Sequence, residues 1–241
     1  MDVLQEPQPE SLPTAKPFIG RTVVLRIDSQ SAEAETLISD LIFMRRLGVR
    51  PLVVHDVNDR TTGARLVGMI NRVGGEAVAI DGTSAGTLIA ASDEDGNCKV
   101  RTVNAQLMSL LLEQGYIPVF AAQGAAISGL PMPLDGDEAA HVLAAATRAF
   151  RLLLPAHHGG IPSDDDGIIE ELTSSEALDI AAAGGLSADL VHHLRAAAHG
   201  VRGGVDAAQL LDLSGPHAAI VEMLTARHVG TQVVSNVFLS R

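Results

Sequence analysis

The feature that most constrains the fold of this chain is a regular alternation of short apolar runs with segments of helical periodicity. Residues 22–27 (TVVLRI), 51–55 (PLVVH) and 77–80 (AVAI) are short aliphatic runs that predict buried strands. In residues 37–47 and 66–73, which lie between these runs, apolar side chains recur at helical spacing. The alternation is typical of right-handed βαβ units that build a parallel sheet covered on both faces. Ligands of such sheets bind at the carboxyl ends of the strands.

The remainder of the chain adds further helices and strands and two hairpins. We predict helices at residues 105–114, 137–149, 174–183 and 187–199, and strands at residues 116–120, 151–154 and 233–239. Hairpins are predicted over residues 87–101, with a turn at Asp95 and Gly96, and at the acidic turn 164–167. Ser174 and Ser187 are suited to cap the helices that they begin.

The first 17 residues differ from the rest in composition. Prolines lie among Gln, Glu and Ser residues at positions 7, 9, 13 and 17, which favours an extended, unpacked leader over residues 1–17. We therefore expect a single folded domain that starts near Phe18 and includes residues 18–241. An apolar content of 46% is ample for one buried core.

Composition also excludes several classes of protein. The formal charge of −12 and the scattered 17 Lys and Arg residues argue against binding to nucleic acid, and the lack of tryptophan leaves little for base stacking. Cys98 is the sole cysteine, which excludes a disulfide framework or a multi-cysteine zinc site and fits a reducing compartment. No apolar run approaches the roughly 20 residues needed to cross a bilayer. We expect a cytoplasmic protein without a membrane partner.

Several segments follow one another in a recognisable order. They are LVVH at residues 52–55, INRVGGEAVAIDG at 70–82, VNAQLMSLLLEQGYIPVFA at 103–121, LDGDEAAHVLAAA at 134–146 and LLDLSGPHAAIVEMLTARHVGTQV at 210–233. Together they resemble the amino-acid kinase family, and within it the acetylglutamate kinases. The resemblance implies a three-layer α/β sandwich with a mainly parallel central sheet, an acceptor-side half at about residues 18–130 and a nucleotide-side half at about residues 131–241. It also implies Mg-ATP as cofactor, N-acetyl-L-glutamate as substrate and a place in arginine biosynthesis.

Phosphoryl transfer requires cations and glycine amides around the moving phosphoryl group, and the first strand should supply some of them. In the family this strand ends in a lysine followed by two glycines. Here Arg26 takes the position of the lysine, while Asp28 and Ser29 take the positions of the glycines. The resemblance thus makes Arg26 a candidate catalytic cation, whereas an aspartate at this place would repel a phosphate.

The residues expected to bind the acceptor are also altered. After its second strand the family has a histidine and three glycines, and this chain keeps only the histidine, as His55, before Asp56, Val57 and Asn58. The family then carries a loop with an arginine that grips the substrate carboxylate, whereas residues 59–63 here lead almost directly into the next helix. The candidate substrate-binding residues by this alignment are His55, Asn58, Arg60, Arg65 and Gly82.

On the nucleotide side one family residue is kept and another is reversed in charge. Asp137 aligns with the aspartate that organises the catalytic lysines of the family, and we take it as a second catalytic candidate. Gly184 and Gly185 match a family glycine pair, so that Asp189 falls where a phosphate-binding lysine is expected. An anion at that place reverses the sign of an interaction with a triphosphate.

Each of these residues also has a purely structural interpretation. Arg26 at a strand end is often a surface cation, Asp137 is suited to cap a helix, and Gly82 is suited to a turn. The acidic run 164–166 could attract magnesium, but such runs before glycine usually form solvated turns. The neighbouring histidines at positions 157–158 and 192–193 diverge on a regular element, so we predict no metal site from them.

Two functional hypotheses remain. The first is a divergent or inactive relative, a pseudokinase that keeps the scaffold for ligand binding, oligomerisation or regulation of the arginine pathway. The second is an active, ATP-dependent kinase that phosphorylates the carboxylate of N-acetyl-L-glutamate or a similar derivative. The sequence favours the first, because several separate phosphate or substrate elements are changed. The ligand would be a small molecule such as an N-acetylglutamate-like compound, arginine or a nucleotide.

The family resemblance further implies a homodimer formed through the N-terminal half. In the predicted helix after Ser31, the apolar side chains of Ile38, Ile42 and Phe43 lie beyond the stripe needed to pack on the sheet of the same chain.

Overall fold

The computed structural model describes residues 13–28, 35–57, 60–163, 165, 167–224 and 229–236, and it shows an α/β fold with two sheets. The strands are β1 (Thr22–Ile27), β2 (Arg50–His55), β3 (Ala77–Asp81), β4 (Leu88–Ser92), β5 (Cys98–Val103), β6 (Ile117–Ala121), β7 (Gln123–Ala125), β8 (Pro131–Pro133), β9 (Arg151–Pro155), β10 (Glu171–Thr173), β11 (Ala207–Leu211) and β12 (Thr231–Val234). The helices are α1 (Glu35–Arg46), α2 (Arg60–Arg72), α3 (Gln106–Glu113), α4 (Gly136–Ala146), α5 (Ser174–Ala183), α6 (Ala188–Arg202) and α7 (Ala218–Leu224).

The larger sheet has eight strands in the order β10-β12-β11-β9-β1-β2-β6-β3. Its neighbouring strands are parallel except for β11 and β12, which run antiparallel. The smaller sheet, in the order β5-β4-β7-β8, contains the predicted hairpin of β4 and β5. The predicted fold class, α/β with a mainly parallel central sheet, is therefore confirmed.

Helices cover both faces of the larger sheet. Val24 of β1 packs into a core shared with α3, α4, α5 and α6, whereas Val23 and Leu25 pack into a second core shared with α1, α2 and α7. Because β1 is buried on both faces at every position, its sequence is a nearly continuous aliphatic run without a polar face. The carboxyl ends of β1, β2, β6 and β9 consequently open together at one edge of the sheet.

Three local expectations were wrong. Pro13–Phe18 forms a short 3₁₀ helix, so this part of the predicted leader is not extended, while residues 1–12 lie outside the described residues. Thr173 rather than Ser174 caps α5, because it forms a capping box with Glu176. The last predicted strand ends at Val234, and residues 237–241 lie outside the described part of the chain.

Two further expectations concern surfaces. Ile38 is buried in the core of its own chain, whereas Ile42 and Phe43 are half-buried, so Ile38 is not exposed for a subunit contact. Over the residues that the structure describes, none of the helices has the length and apolarity needed to cross a membrane.

Candidate active site

A cavity of about 310 Å³ lies where the carboxyl ends of β1, β2 and β9 meet the first turn of α6. Its lining includes Arg26 at the end of β1, Asp56 after β2, His157 after β9, and Asp189 and His193 on α6. The structure thus brings together the catalytic candidate Arg26 and the nucleotide-side candidate Asp189. We call this space the phosphate-side cavity, because both residues align with phosphate-binding residues of the family named above.

Arg26 is held in a network of anions. Its side chain is only 7% exposed, and its Nε donates to Asp137 Oδ1 at 3.1 Å while its Nη2 donates to Asp56 Oδ2 at 2.7 Å. Its Nη1 donates to the carbonyl oxygen of Ile27. The interpretation of Arg26 as a surface cation is therefore wrong, since the guanidinium is buried and each of its three nitrogens donates a hydrogen bond. Two carboxylates thus balance its charge.

Asp137 reaches Arg26 because of the way α4 begins. Asp135 is the N-cap of α4, and its carboxylate accepts hydrogen bonds from the backbone N–H groups of Asp137 and Glu138. The interpretation of Asp137 as the cap is therefore wrong, and its carboxylate is available for the site. Gly136 makes room for the contact, because a Cβ atom there would lie 2.4 Å from Arg26 Nε.

His193 completes the network, and the sequence analysis did not identify it as a site residue. Its Nδ1 lies 2.7 Å from Asp137 Oδ2, so that Asp137 binds Arg26 with one oxygen and His193 with the other. Burial by itself would raise the pKa of Asp137, but the hydrogen bond from His193 and the nearby charges of His193, Arg26 and His192 hold that pKa below its usual range. Asp137 is therefore a charged carboxylate at neutral pH. The available signal was spacing, since His193 lies one helical turn after Asp189 and so on the same face of α6.

The remaining charged groups of the cavity are mostly acidic. Asp28 Oδ2 lies 2.9 Å from His157 Nε2, Asp56 is paired with Arg26, and Asp189 is exposed in the first turn of α6. Among the described lining residues, Arg26 is the one Lys or Arg. The described part of the chain also contains no group of His, Cys, Asp and Glu side chains arranged to hold a metal ion. These residues do not fit Mg-ATP, because three carboxylates face the space where a triphosphate would need cations.

The other nucleotide-side candidates lie outside this cavity. Gly184 and Gly185 connect α5 to α6 with φ angles of 82° and 98°, and both are exposed. An L side chain would be strained at either position, so the turn itself accounts for the two glycines. Neither lines the cavity.

A second cavity, of about 540 Å³, lies at the carboxyl ends of β2, β3 and β6, and we call it the acceptor-side cavity. His55, Asp81, Ser84 and Gln123 are its polar lining residues. The backbone carbonyl of Asp56 can only accept, so the 2.7 Å contact with His55 Nδ1 places a proton on that nitrogen. His55 lines this cavity, and its role in binding an acceptor stays a prediction.

The other substrate-binding candidates are placed differently. Gly82 is buried, and a Cβ atom there would lie 2.3 Å from the carbonyl oxygen of Gln123, so close backbone packing accounts for this glycine. Arg65 is exposed on α2 and does not line either cavity. Arg60 begins α2, but nothing of its side chain is described, and Asn58 lies outside the described residues.

Comparison of the sequence with known families gives one match that spans most of the chain. The sequence model described as "Amino acid kinase family" matches residues 26–206. The acetylglutamate kinase of Roseobacter denitrificans is 29% identical over 92% of this chain and 92% of its own length. The acetylglutamate kinase of Synechococcus sp. (strain RCC307) is also 29% identical, over 98% of this chain and 95% of its own length.

Solved structures agree on the fold. The N-acetylglutamate synthase of Neisseria gonorrhoeae, in complex with coenzyme A and N-acetyl-glutamate, superimposes with a TM-score of 0.82 at 20% identity. The match covers 96% of this chain but only 63% of the synthase chain. The carbamate kinase of Giardia lamblia bound to AMP-PNP gives a TM-score of 0.72 at 12% identity and covers 90% of this chain and 99% of its own. At these identities the likeness concerns the fold alone.

Proposed function

Since this chain belongs to the amino acid kinase family, we propose that it is an acetylglutamate kinase-like pseudokinase, which has kept the scaffold but lost the handling of triphosphate. In this proposal the protein acts by binding a small molecule and regulating a partner. The link to arginine biosynthesis rests on its acetylglutamate kinase relatives. A cytoplasmic location belongs to the same proposal.

One observation carries the proposal: the cation of the phosphate-side cavity is neutralised by the chain itself. Arg26 is paired with both Asp137 and Asp56, and Asp28 and Asp189 line the same space. A triphosphate would have to displace a carboxylate from a buried guanidinium and then lie beside the carboxylates that remain. Asp137 forms a buried pair with Arg26, with both side chains 7% exposed, whereas Asp56 is 42% exposed and is the carboxylate that a triphosphate would displace more easily.

The proposal also includes two functional halves of the domain. The acceptor-side cavity is lined by residues between His55 and Pro131, and we assign it to an acceptor-side half at about residues 18–130. The phosphate-side cavity combines Arg26 and Asp56 of that half with Asp189 and His193 of the half at about residues 131–241. We propose these halves as functional rather than separately folded units, since β1 and β9 are neighbours in one sheet.

A second function, active phosphoryl transfer with Mg-ATP, is favoured by one specific feature. The carboxylate of Asp137 holds two cationic or proton-bearing groups, Arg26 and His193, in the position where the family has an aspartate that organises lysines. If His193 replaces the missing second cation, the site keeps a positive pair around Asp137. The carboxylates of Asp56 and Asp189 oppose this function, and we therefore place it second.

The proposal is tested by titrating the protein with Mg-ATP in a calorimeter. We expect no saturable binding below millimolar concentration by the unmodified protein. Asp189→Lys should strengthen binding by at least about tenfold, roughly 1.4 kcal/mol, because it replaces an exposed anion of the cavity by a cation. Asp179→Lys is the matched control, since Asp179 is exposed on α5 outside the cavity. Micromolar binding by the unmodified protein would contradict the proposal.

A further inference from the structure

Among the described residues that line the acceptor-side cavity, Asp81 is the one carboxylate. This residue ends β3 and lines the cavity with His55, Ser84 and Gln123. Its Oδ1 accepts hydrogen bonds from the backbone N–H and the hydroxyl of Thr83, at 2.9 and 2.5 Å, and its Oδ2 accepts one from Gln123 Nε2 at 3.0 Å. All of these donors are neutral, so they orient the carboxylate without cancelling its charge.

No Lys or Arg is found among the described lining residues of this cavity. The rest of the lining is mostly small and apolar, and it includes Ala64, Ala79, Val119 and Ala121. Space for a short aliphatic chain thus lies beside one oriented carboxylate. N-Acetyl-L-glutamate carries two carboxylates, and each of them would lose hydration here without meeting a described cation. The described lining therefore opposes the charge of the substrate that the family resemblance implies.

We propose that the acceptor-side cavity binds a small organic cation, an aliphatic chain that ends in an ammonium or guanidinium group paired with Asp81. This inference rests on the proposed function, because it names the class of ligand that the non-catalytic scaffold would bind. The carboxylate is already oriented by Thr83 and Gln123, so little side-chain freedom is lost when the cation binds. Charge-assisted hydrogen bonds from the cation to Asp81 would supply the specificity.

The test is a titration of the protein with agmatine at constant pH and ionic strength, in which protein NMR chemical shifts measure binding. Agmatine should shift the backbone amide signals around His55, Asp81 and Gln123 and saturate. Asp81→Asn should weaken this binding by at least about tenfold, since it removes the charge but keeps an oxygen for Thr83. Asp93→Asn is the matched control, because Asp93 likewise accepts from backbone N–H groups in a turn but lies outside the cavity. Its affinity for agmatine should equal that of the unmodified protein.

A parallel titration of the unmodified protein with N-acetyl-L-glutamate tests the inference even if Asp81→Asn does not fold. Saturable binding of N-acetyl-L-glutamate in this cavity, as tight as that of agmatine, would overturn the inference. So would agmatine binding that is the same in Asp81→Asn and in the unmodified protein. The Mg-ATP titration described above is independent of these outcomes. Tight N-acetyl-L-glutamate binding without Mg-ATP binding would contradict the proposed cationic ligand but not the proposed function. Tight Mg-ATP binding would contradict the proposal that the protein is a pseudokinase.

Discussion

At the scale of single residues, the site depends on how one buried aspartate is shared. Asp137 binds Arg26 through Oδ1 and His193 through Oδ2, and Arg26 in turn binds Asp56. The sequence indicated Arg26 and Asp137 as catalytic candidates through the family resemblance, and the structure shows them in contact. The sequence could not separate a capping role from a site role for Asp137, since Asp135 fits the cap equally well. His193 was missed because the neighbouring histidines 192 and 193 were considered only as a pair of metal ligands.

The Asp137→Asn variant should lose about 3 kcal/mol of unfolding free energy at pH 7, because Arg26 and His193 then lose a buried charged partner. The pKa of Asp137 is lowered in the folded state. The contribution of the Asp137 charge to the unfolding free energy is therefore fully present above the unfolded-state pKa, near 4. It is lost as the pH falls through the lower folded-state pKa. The difference between the variant and the unmodified protein should shrink below pH 4. Urea denaturation at pH 7 and toward pH 3 measures both effects, with exposed Asp179→Asn as control. A loss that is the same at both pH values would contradict this account.

At the scale of the elements, the aliphatic strands at the centre of the larger sheet were predictable, whereas β7, β8 and β11 were not. β1 and β2 are continuous aliphatic runs because helices cover both faces of the sheet at these positions. β11 escaped detection because its five residues, AAQLL, combine small side chains with Gln209, which is buried and whose Nε2 donates to Gln232 on the neighbouring strand. β7 and β8 have three residues each, which is too short to show a periodicity in the sequence. They are strands because they pair with each other.

The packing of α4 on the end of β1 gives a prediction at this scale. Gly136→Ala should lower the unfolding free energy by about 2 kcal/mol, because the new Cβ would lie 2.4 Å from Arg26 Nε and the guanidinium is fixed by its hydrogen bonds. Gly68→Ala on α2 is the control. A Cβ there meets nothing within 4 Å, so it should raise stability by up to about 1 kcal/mol through helix propensity. Chemical denaturation compares the two. An equal rise in unfolding free energy in both variants would contradict the prediction, because it would show that Arg26 can move away at little cost.

At the scale of the whole molecule, charge and surface set what the protein can bind and how it assembles. The formal charge of −12 agrees with a phosphate-side cavity in which carboxylates outnumber cations. A separate cavity of about 450 Å³ lies between α1 and α2, and its lining combines the apolar side chains of Ile42, Phe43, Met69 and Val73 with Arg46 and Arg72. The predicted homodimer would form on this surface.

We expect light scattering at micromolar concentration to give twice the mass of the 25.1 kDa chain. Val73→Asp should shift the mass toward a single chain, because Val73 is 48% exposed on this surface and a carboxylate there would lose hydration when two copies pack together. Leu110→Asp is the control, as Leu110 is 55% exposed on α3, away from this cavity. A single-chain mass for the unmodified protein would contradict the predicted dimer.

The central claim, that the chain has kept the fold of a carboxylate kinase without its phosphoryl transfer, is tested most directly by ADP release. The unmodified protein is incubated with Mg-ATP and N-acetyl-L-glutamate, beside the acetylglutamate kinase of Roseobacter denitrificans as an assay control. We predict a rate equal to the background without protein, and the same rate for Arg26→Ala. Arg26 is held by Asp137 and Asp56, and Asp189 lines the same cavity, where the family resemblance implies a phosphate-binding lysine. Turnover that depends on N-acetyl-L-glutamate and is lost in Arg26→Ala would contradict the claim.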